Sequence, residues 1–343
     1  MAGSVESRLR VTRQQILAFR RRVGALDERM PMGSESLRRA AWAGLQDSMP
    51  RAALLSLHAR VEGAEPSAWE HPSLAQLWGP RYHTYVVPKR DFALFSLGRH
   101  PDGGKGRLRA EQLAARLHAH LDGVHAADRE LGPPLGINPN ALRYAATTGT
   151  VAIRWDGARA PTVWTVPAPK IVRADACREL ARRYLRVFGP TTAEGFARWA
   201  GISRRSAASA FASLEGSLLP VRSPLGDEWL LAEDERAIRA GETLNAPARL
   251  LPSGDAYFLL DGAERELLVP RADQRARLWT PRVWPGALLV EGEIRGTWRR
   301  AHHTVRIDAW GRLSRGAREA VEAEANALPL PGLDRPIEVL WNT

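Results

Sequence analysis

The sequence predicts an α+β protein: tandem winged-helix (helix-turn-helix) domains followed by a β-rich C-terminal domain. Three observations predict it. A helix–helix–hairpin order appears twice, over 107–170 and 173–235. From about Asn245 the pattern changes to short apolar runs separated by turn pairs such as Ser253-Gly254, Asp261-Gly262 and Glu291-Gly292. The 343-residue chain also carries a formal net charge of +11, with a pI near 10.7. Such basicity favours a polyanionic partner, nucleic acid before membrane. Only Lys89, Lys105 and Lys170 are lysines, so the charge is almost all arginine.

The elements follow in order. Residues 11–27 have helical periodicity, with Ile16, Phe19, Val23 and Leu26 on one stripe and Arg20, Arg21 and Arg22 partly outside it. Ser34 or Ser36 can cap a second helix containing Leu37, Ala41 and Leu45. A third helix, around Arg51 to Val61, carries Leu54, Leu55 and Leu57. His83 to Val87 is a strand, and Pro88 fits the first turn of a helix after it. A Gly-rich loop, Pro101 to Gly106, closes this first unit, 1–106, helical and winged-helix-like.

The second unit, a winged helix over 107–170, opens with a helix that aligns Leu113, Leu117 and Leu121. A Gly/Pro loop from Gly132 to Pro139 precedes a helix from Asn140 to about Thr147. A hairpin over 149–166 turns near Asp156-Gly157. The third, a winged helix over 171–244, begins with a helix from Asp175 to Phe188. A short helix follows from Thr191 or Thr192, then a turn at Gly201 and a helix capped by Ser203. Leu218–Val221 and Trp229–Leu231 form its wing. In a helix-turn-helix on DNA, Arg204 and Arg205 lie at the start of the recognition helix. The last unit, 245–343, is β-rich, with a helix at Arg315–Ala327. Trp279, Trp284, Trp298 and Trp310 read as its core.

Several chemistries lack their residues. There is no phosphate loop and no dinucleotide fingerprint after a strand. His118 and His120 lie two apart on a helix and cannot share a metal. His302-His303 lacks a Cys or carboxylate at ligand spacing. No cofactor and no metal are expected. The lone Cys177 excludes an internal disulfide and reads as a buried helix position; with no signal peptide or membrane-length apolar run, a cytoplasmic location is expected.

The stretch Gly44-Leu-Gln-Asp-Ser-Met-Pro50 places three polar side chains between apolar segments. In an extended backbone Gln46 and Ser48 share a face; a tight turn instead brings Asp47 forward. Alternatively, Asp47 or Ser48 caps the helix starting near Arg51.

Together these segments resemble the winged-helix DNA glycosylases of the crosslink-repair family (AlkZ/YcaQ-like), over nearly the whole chain. The carriers are Gly44-Leu-Gln-Asp-Ser48, Arg51–Arg60, Gly149–Gly157, Phe188-Gly-Pro-Thr-Thr192 and Phe196–Gly201. In the C-terminal part they are Leu250-Leu-Pro-Ser-Gly-Asp255, Val283-Trp-Pro-Gly-Ala287 and Gly296-Thr-Trp298. The resemblance implies tandem winged helices in a C shape around duplex DNA, and excision of alkylated purines or unhooking of interstrand crosslinks. The family's catalytic motif is Gln-x-Gln or Gln-x-Asp. Gln46 matches its first position, the third is Ser48, and the acidic residue stands between them at Asp47.

A purine alkylated at N7 or N3 is already cationic, so its departure needs little acid help. What remains is to place a water against the sugar cation and accept its proton. Gln46 and Asp47 are the expected catalytic pair, Asp47 carrying the charge through a turn, and Ser48 holding water or backbone. Either Asp47 has taken that role or the activity is lost or changed. Arg51, Arg81, Arg143, Arg154, Arg204, Arg205 and the cluster Arg295, Arg299 and Arg300 around a Gly-Thr-Trp turn are the candidate phosphate contacts. The expected partner is double-stranded DNA, alkylated or crosslinked, bound by a monomer with no membrane role. The rival reading is a non-catalytic winged-helix DNA-binding or transcription-regulatory protein.

Overall fold

The structure, a computed structural model, describes residues 8–49, 51–241, 246–333 and 335–342. Pro50, the end of the polar stretch, and Asn245, taken as the start of the last unit, lie outside them.

The N-terminal segment is tied to distant parts of the chain. Strand β1 (Leu9–Arg10) pairs in parallel with Val221 and Arg222 of the third unit. Helix α1 (Arg13–Val23) starts in a reciprocal cap, the Thr12 hydroxyl accepting the Gln15 N–H while the Gln15 side chain accepts the Thr12 N–H. Arg20 and Arg21, expected partly outside the apolar stripe, are buried. Arg20 donates to the carbonyls of Phe188, Gly189 and Pro190, and Arg21 to that of Gly292, so both guanidiniums fasten α1 to later units.

Helix α2 (Ser34–Ala40) begins after Gly33 without a side-chain cap, which corrects the Ser34/Ser36 expectation. Leu45 is not on that helix. It belongs to β2 (Leu45–Gln46), because Gly44 at φ +77° turns the chain; a Cβ there would sit 2.9 Å from the Tyr85 ring. Helix α3 (Ala52–His58) follows, then β3 (Leu74–Trp78), which the sequence reading missed, and β4 (Thr84–Pro88). The three strands form an antiparallel sheet in the order β2-β4-β3. Pro88 ends β4 rather than opening a helix, and α4 (Phe92–Leu97) comes after a short 3-10 turn.

The next unit contains α5 (Gly104–Leu121), β5 (Ala126–Ala127), α6 (Asp128–Leu135), α7 (Leu142–Ala145), and the hairpin of β6 (Val151–Arg154) and β7 (Thr162–Thr165). The expected loop of 132–139 begins only at Gly136, because its first residues are the end of α6. Leu131 and Leu135, one turn apart, are buried in the unit's core and hold those residues helical. The third unit runs α8 (Arg173–Phe188), α9 (Ala193–Ala200), α10 (Arg204–Ala212), β8 (Leu218–Ser223), β9 (Gly226–Leu231) and α11 (Glu235–Arg239). Thr192 caps α9, Gly201 at φ +71° ends it, and Ser203 caps α10.

The C-terminal part begins with β10 (Arg249–Leu251), α12 (Glu264–Leu268) and α13 (Ala272–Leu278). Then come β11 (Gly286–Val290), β12 (Glu293–Ala301), β13 (Thr304–Ala309), α14 (Arg315–Asn326) and β14 (Glu338–Trp341). The strands make one five-stranded sheet in the order β10-β11-β12-β13-β14. Val321 and Ala325 of α14 pack on Leu288, Val290, Val305 and Ile307 of that sheet. Gly296-Thr-Trp298 lies inside β12, which corrects the expected turn there; Trp298 is buried while Arg299 and Arg300 are exposed. No helix among the described residues is long and apolar enough to cross a membrane.

Candidate active site

Strand β2 is two residues long, and its pairing decides which way the polar motif faces. Leu45 and Gln46 lie opposite Val86 and Tyr85, and the ladder continues as the Asp47 N–H donates to the Thr84 carbonyl at 2.7 Å. The backbone is therefore extended as far as Asp47 and then bends at Ser48 and Met49; along the extended part alternate side chains take opposite sides. Gln46 and Ser48 are half-buried; Asp47, 2% exposed, points into the protein.

Asp47 is fully committed there. Its Oδ1 accepts the Ala53 N–H at 3.0 Å in the first turn of α3, and its Oδ2 accepts Gln76 Nε2 at 2.9 Å. Gln76 Oε1 in turn accepts the Trp155 N–H at 2.7 Å. One carboxylate thus ties β2 to α3, β3 and the end of β6. Burial raises its pKa from 3.8 to about 6, against the opposing pull of the Ala53 N–H, the Gln76 amide, Arg51 and Arg154. The expectation that a bend brings Asp47 round beside Gln46 is corrected: the bend falls after it, at Ser48, and the Thr84 bond holds Asp47 in the ladder with its carboxylate inward. Of the alternatives read from the sequence, capping the next helix is the one that describes Asp47.

Gln46 is braced from two sides. The Tyr85 hydroxyl lies 3.5 Å from Gln46 Oε1, and burial pushes the phenol up to about 12, so it stays a donor. Gly254, at φ +78°, closes from the other side: a Cβ there would lie 2.9 Å from Gln46 Nε2. Only a residue without a side chain lets the loop approach Gln46 so closely. Asp255 anchors this loop. It accepts from both terminal nitrogens of Arg60 at 2.7 Å and from the Ser56 hydroxyl at 2.7 Å, all buried. Burial works to raise the Asp255 carboxyl, but the Arg60 charge and these bonds bring it below its ordinary value. The Leu250–Asp255 stretch was marked in the sequence; its contact with Gln46 was not.

Ser48 has a partner that the sequence reading passed over. Its Oγ lies 3.0 Å from His83 Nδ1, and His83 is itself exposed. The register supplies the signal: Leu45 pairs with Val86 and Gln46 with Tyr85, and continuing that antiparallel count past the ladder leads from residue 48 to residue 83. Partial desolvation of the ring, then the charges of Arg81, Arg143 and Arg99, lower the His83 pKa.

The candidate phosphate contacts fall into four places. Arg51 and Arg154 both lie over the Trp69 ring, at 4.8 and 4.2 Å, and Arg154 also pairs with Glu70. Arg81, at φ 53°, sits beside His83 and within 3.5 Å of Asp261; Arg143 reaches the Tyr82 carbonyl at 3.4 Å. Arg204 and Arg205 are exposed at the start of α10, as expected, on the unit whose Gly201 abuts Arg81. Arg299 and Arg300 flank a hollow of about 260 Å³ beside Met49, Ser253 and Trp284, next to the motif. Arg295, exposed on the same strand, is not part of that hollow's lining.

Gln46 and Ser48, on either side of the inward-facing Asp47, therefore offer a half-buried amide and a half-buried hydroxyl two residues apart, with cationic side chains in the neighbourhood. Such a pair can hold a water and hand on its proton, beside a surface suited to a phosphate backbone. The fold is shared with a solved structure: the chain superposes on Streptomyces sahachiroi DNA glycosylase AlkZ with a TM-score of 0.81, covering 97% of this chain and 100% of that one, at 18% identity. The family model described as DNA glycosylase AlkZ-like matches residues 39–329. The protein belongs to the AlkZ-like DNA glycosylase family, a DNA-repair family whose substrate is DNA. No curated protein sequence matches it.

Proposed function

We propose that the protein hydrolyses the N-glycosidic bond of purines alkylated at N7 or N3 in duplex DNA, including those joined in an interstrand crosslink. The observation that carries this reading is the half-buried pair Gln46 and Ser48 on either side of the inward-facing Asp47, with Gln46 braced by Gly254 and Tyr85. Gln46 Oε1 and Ser48 Oγ orient a water against C1′ as the bond to the purine opens. The alkylated purine leaves neutral, so the attack on an oxocarbenium-like sugar is the step the protein assists. Asp47 serves by holding the motif in place rather than by touching the water. The units over 107–170 and 171–244 act as winged helices, with the start of α10 and the β8–β9 wing toward DNA. Arg81, Arg143, Arg299 and Arg300 neutralise phosphates on either side of the motif.

The test is incubation with duplexes carrying 7-methylguanine or a nitrogen-mustard crosslink, scored by strand breakage after alkaline cleavage of abasic sites. Base release supports the reading, and intact lesions remove it. A second reading, a non-catalytic DNA-binding protein, draws on Ser48 standing where the family motif has Gln or Asp. It predicts duplex binding that leaves every lesion in place.

A further inference from the structure

We propose that His83 is the proton acceptor for this reaction, acting through Ser48, so that a Ser–His pair replaces the acidic or amide residue of the motif's third position. The inference rests on the proposed hydrolysis. Its own footing is the 3.0 Å separation of Ser48 Oγ and His83 Nδ1, two residues that meet just past the end of the β2–β4 ladder. A lone serine hydroxyl is a poor base at neutral pH. An imidazole behind it gives the proton somewhere to go.

The surroundings suit that task. The charges of Arg81 on its own turn, of Arg143 from α7 and of Arg99 just past α4 act on His83, while the neighbouring Tyr82 ring packs on Tyr144 and under Arg99. Asp261 lies across from Arg81 and tempers that charge. Partial desolvation, and then these cations, disfavour the imidazolium, which leaves the neutral ring able to accept at Nδ1 with its hydrogen on Nε2. In the step, the C1′–N9 bond breaks and its electron pair leaves with the purine, cancelling the purine's positive charge. The water oxygen bonds C1′, the water proton passes to Ser48 Oγ, and the Ser48 hydroxyl proton passes to His83 Nδ1. The imidazolium then returns its proton to solvent, to which His83 is open. Arg81, Arg143 and Arg99 speed that release.

His83 is thus a positioning and relay residue, and its signature is the pH profile. Single-turnover excision of 7-methylguanine from duplex DNA should show an acid limb below the usual imidazole value of about 6.5. His83→Asn keeps an acceptor near the Nδ1 position but cannot be protonated there. It should lower the rate by about 10²-fold, the low end for loss of a general base, and abolish that limb, with thermal stability and duplex affinity unchanged. Ser48→Ala should cost a similar factor, and the double variant little more than either alone. An NMR titration of the His83 ring adds a readout that does not require turnover: Ser48→Ala should shift the His83 titration. A wild-type enzyme that releases base, with His83→Asn matching its rate and acid limb, overturns the relay alone. An unchanged His83 titration in Ser48→Ala does the same. Wild-type protein that releases no base overturns both the hydrolysis and the relay.

Discussion

Asp47→Asn separates a structural carboxylate from a catalytic one. The rise from 3.8 to about 6 spans about 2 pH units, worth about 3 kcal/mol at roughly 1.4 kcal/mol per unit. The group is 2% exposed, so solvent screening removes little of it. Because the folded-state value is raised, the folded state favours the protonated acid. That stability is fully present below pH 3.8 and is lost as the pH rises through about 6. The amide introduced by Asp47→Asn does not titrate and carries no such loss. It has a cost of its own: its oxygen can still accept the Ala53 N–H, but its NH2 would face Gln76 Nε2, donor against donor. Flipping Gln76 only moves the conflict to the Trp155 N–H. That cost is about 1–3 kcal/mol and does not depend on pH. Asp47→Asn should therefore be less stable than wild type at pH 4 and close to it at pH 7.5. With an unfolding entropy of roughly 0.7 kcal/mol/K for a chain this long, the Tm gap should shrink by about 3–4 °C between those pH values. Paired thermal melts read this directly. A gap that is constant or grows with pH would refute the buried-acid reasoning. Excision at pH 7.5 should stay within about tenfold of wild type; a fall beyond about 10²-fold with unchanged Tm and DNA affinity would return Asp47 to the chemistry.

Gly254→Ala puts a Cβ 2.9 Å from Gln46 Nε2 at a backbone φ of +78°, so Gln46 must move. Single-turnover excision should fall at least about tenfold with duplex affinity nearly unchanged, and full activity would show that Gln46 needs no brace. Replacing both Arg204 and Arg205 by alanine should lower the slope of log affinity against log salt by about 1–2, roughly one for each phosphate left without its arginine. An unchanged slope in that binding series places α10 away from DNA. Asp255→Asn leaves the Arg60 guanidinium buried without its countercharge and should cost about 3–5 kcal/mol in denaturant unfolding. Adding Arg60→Met should restore part of that loss, and no restoration would mean the pair is not the cause.

Much of the fold was legible because its signals are local. The hairpins at 151–165 and 218–231, the Thr192 and Ser203 caps, the Gly201 turn and the helix at Arg315 each declare themselves within a few residues. Burial of Trp279 and Trp298 also followed from residue type. The candidate site was legible as a stretch, and its facing was not. A two-residue strand carries no periodicity, so Leu45 fits a helix stripe equally well until Val86 pairs with it. Whether Asp47 turns out or in depends on Thr84, Gln76 and Ala53, and whether Ser48 has a base depends on His83. The close approach of Gly254 to Gln46 joins residues far apart in the chain. Sequence by itself determined the elements, the charge and the polar triplet, because propensity, capping and composition act over one or two turns. Tertiary structure alone decided which of the three polar side chains meets solvent, because in a paired strand the partner's register assigns each side chain its face.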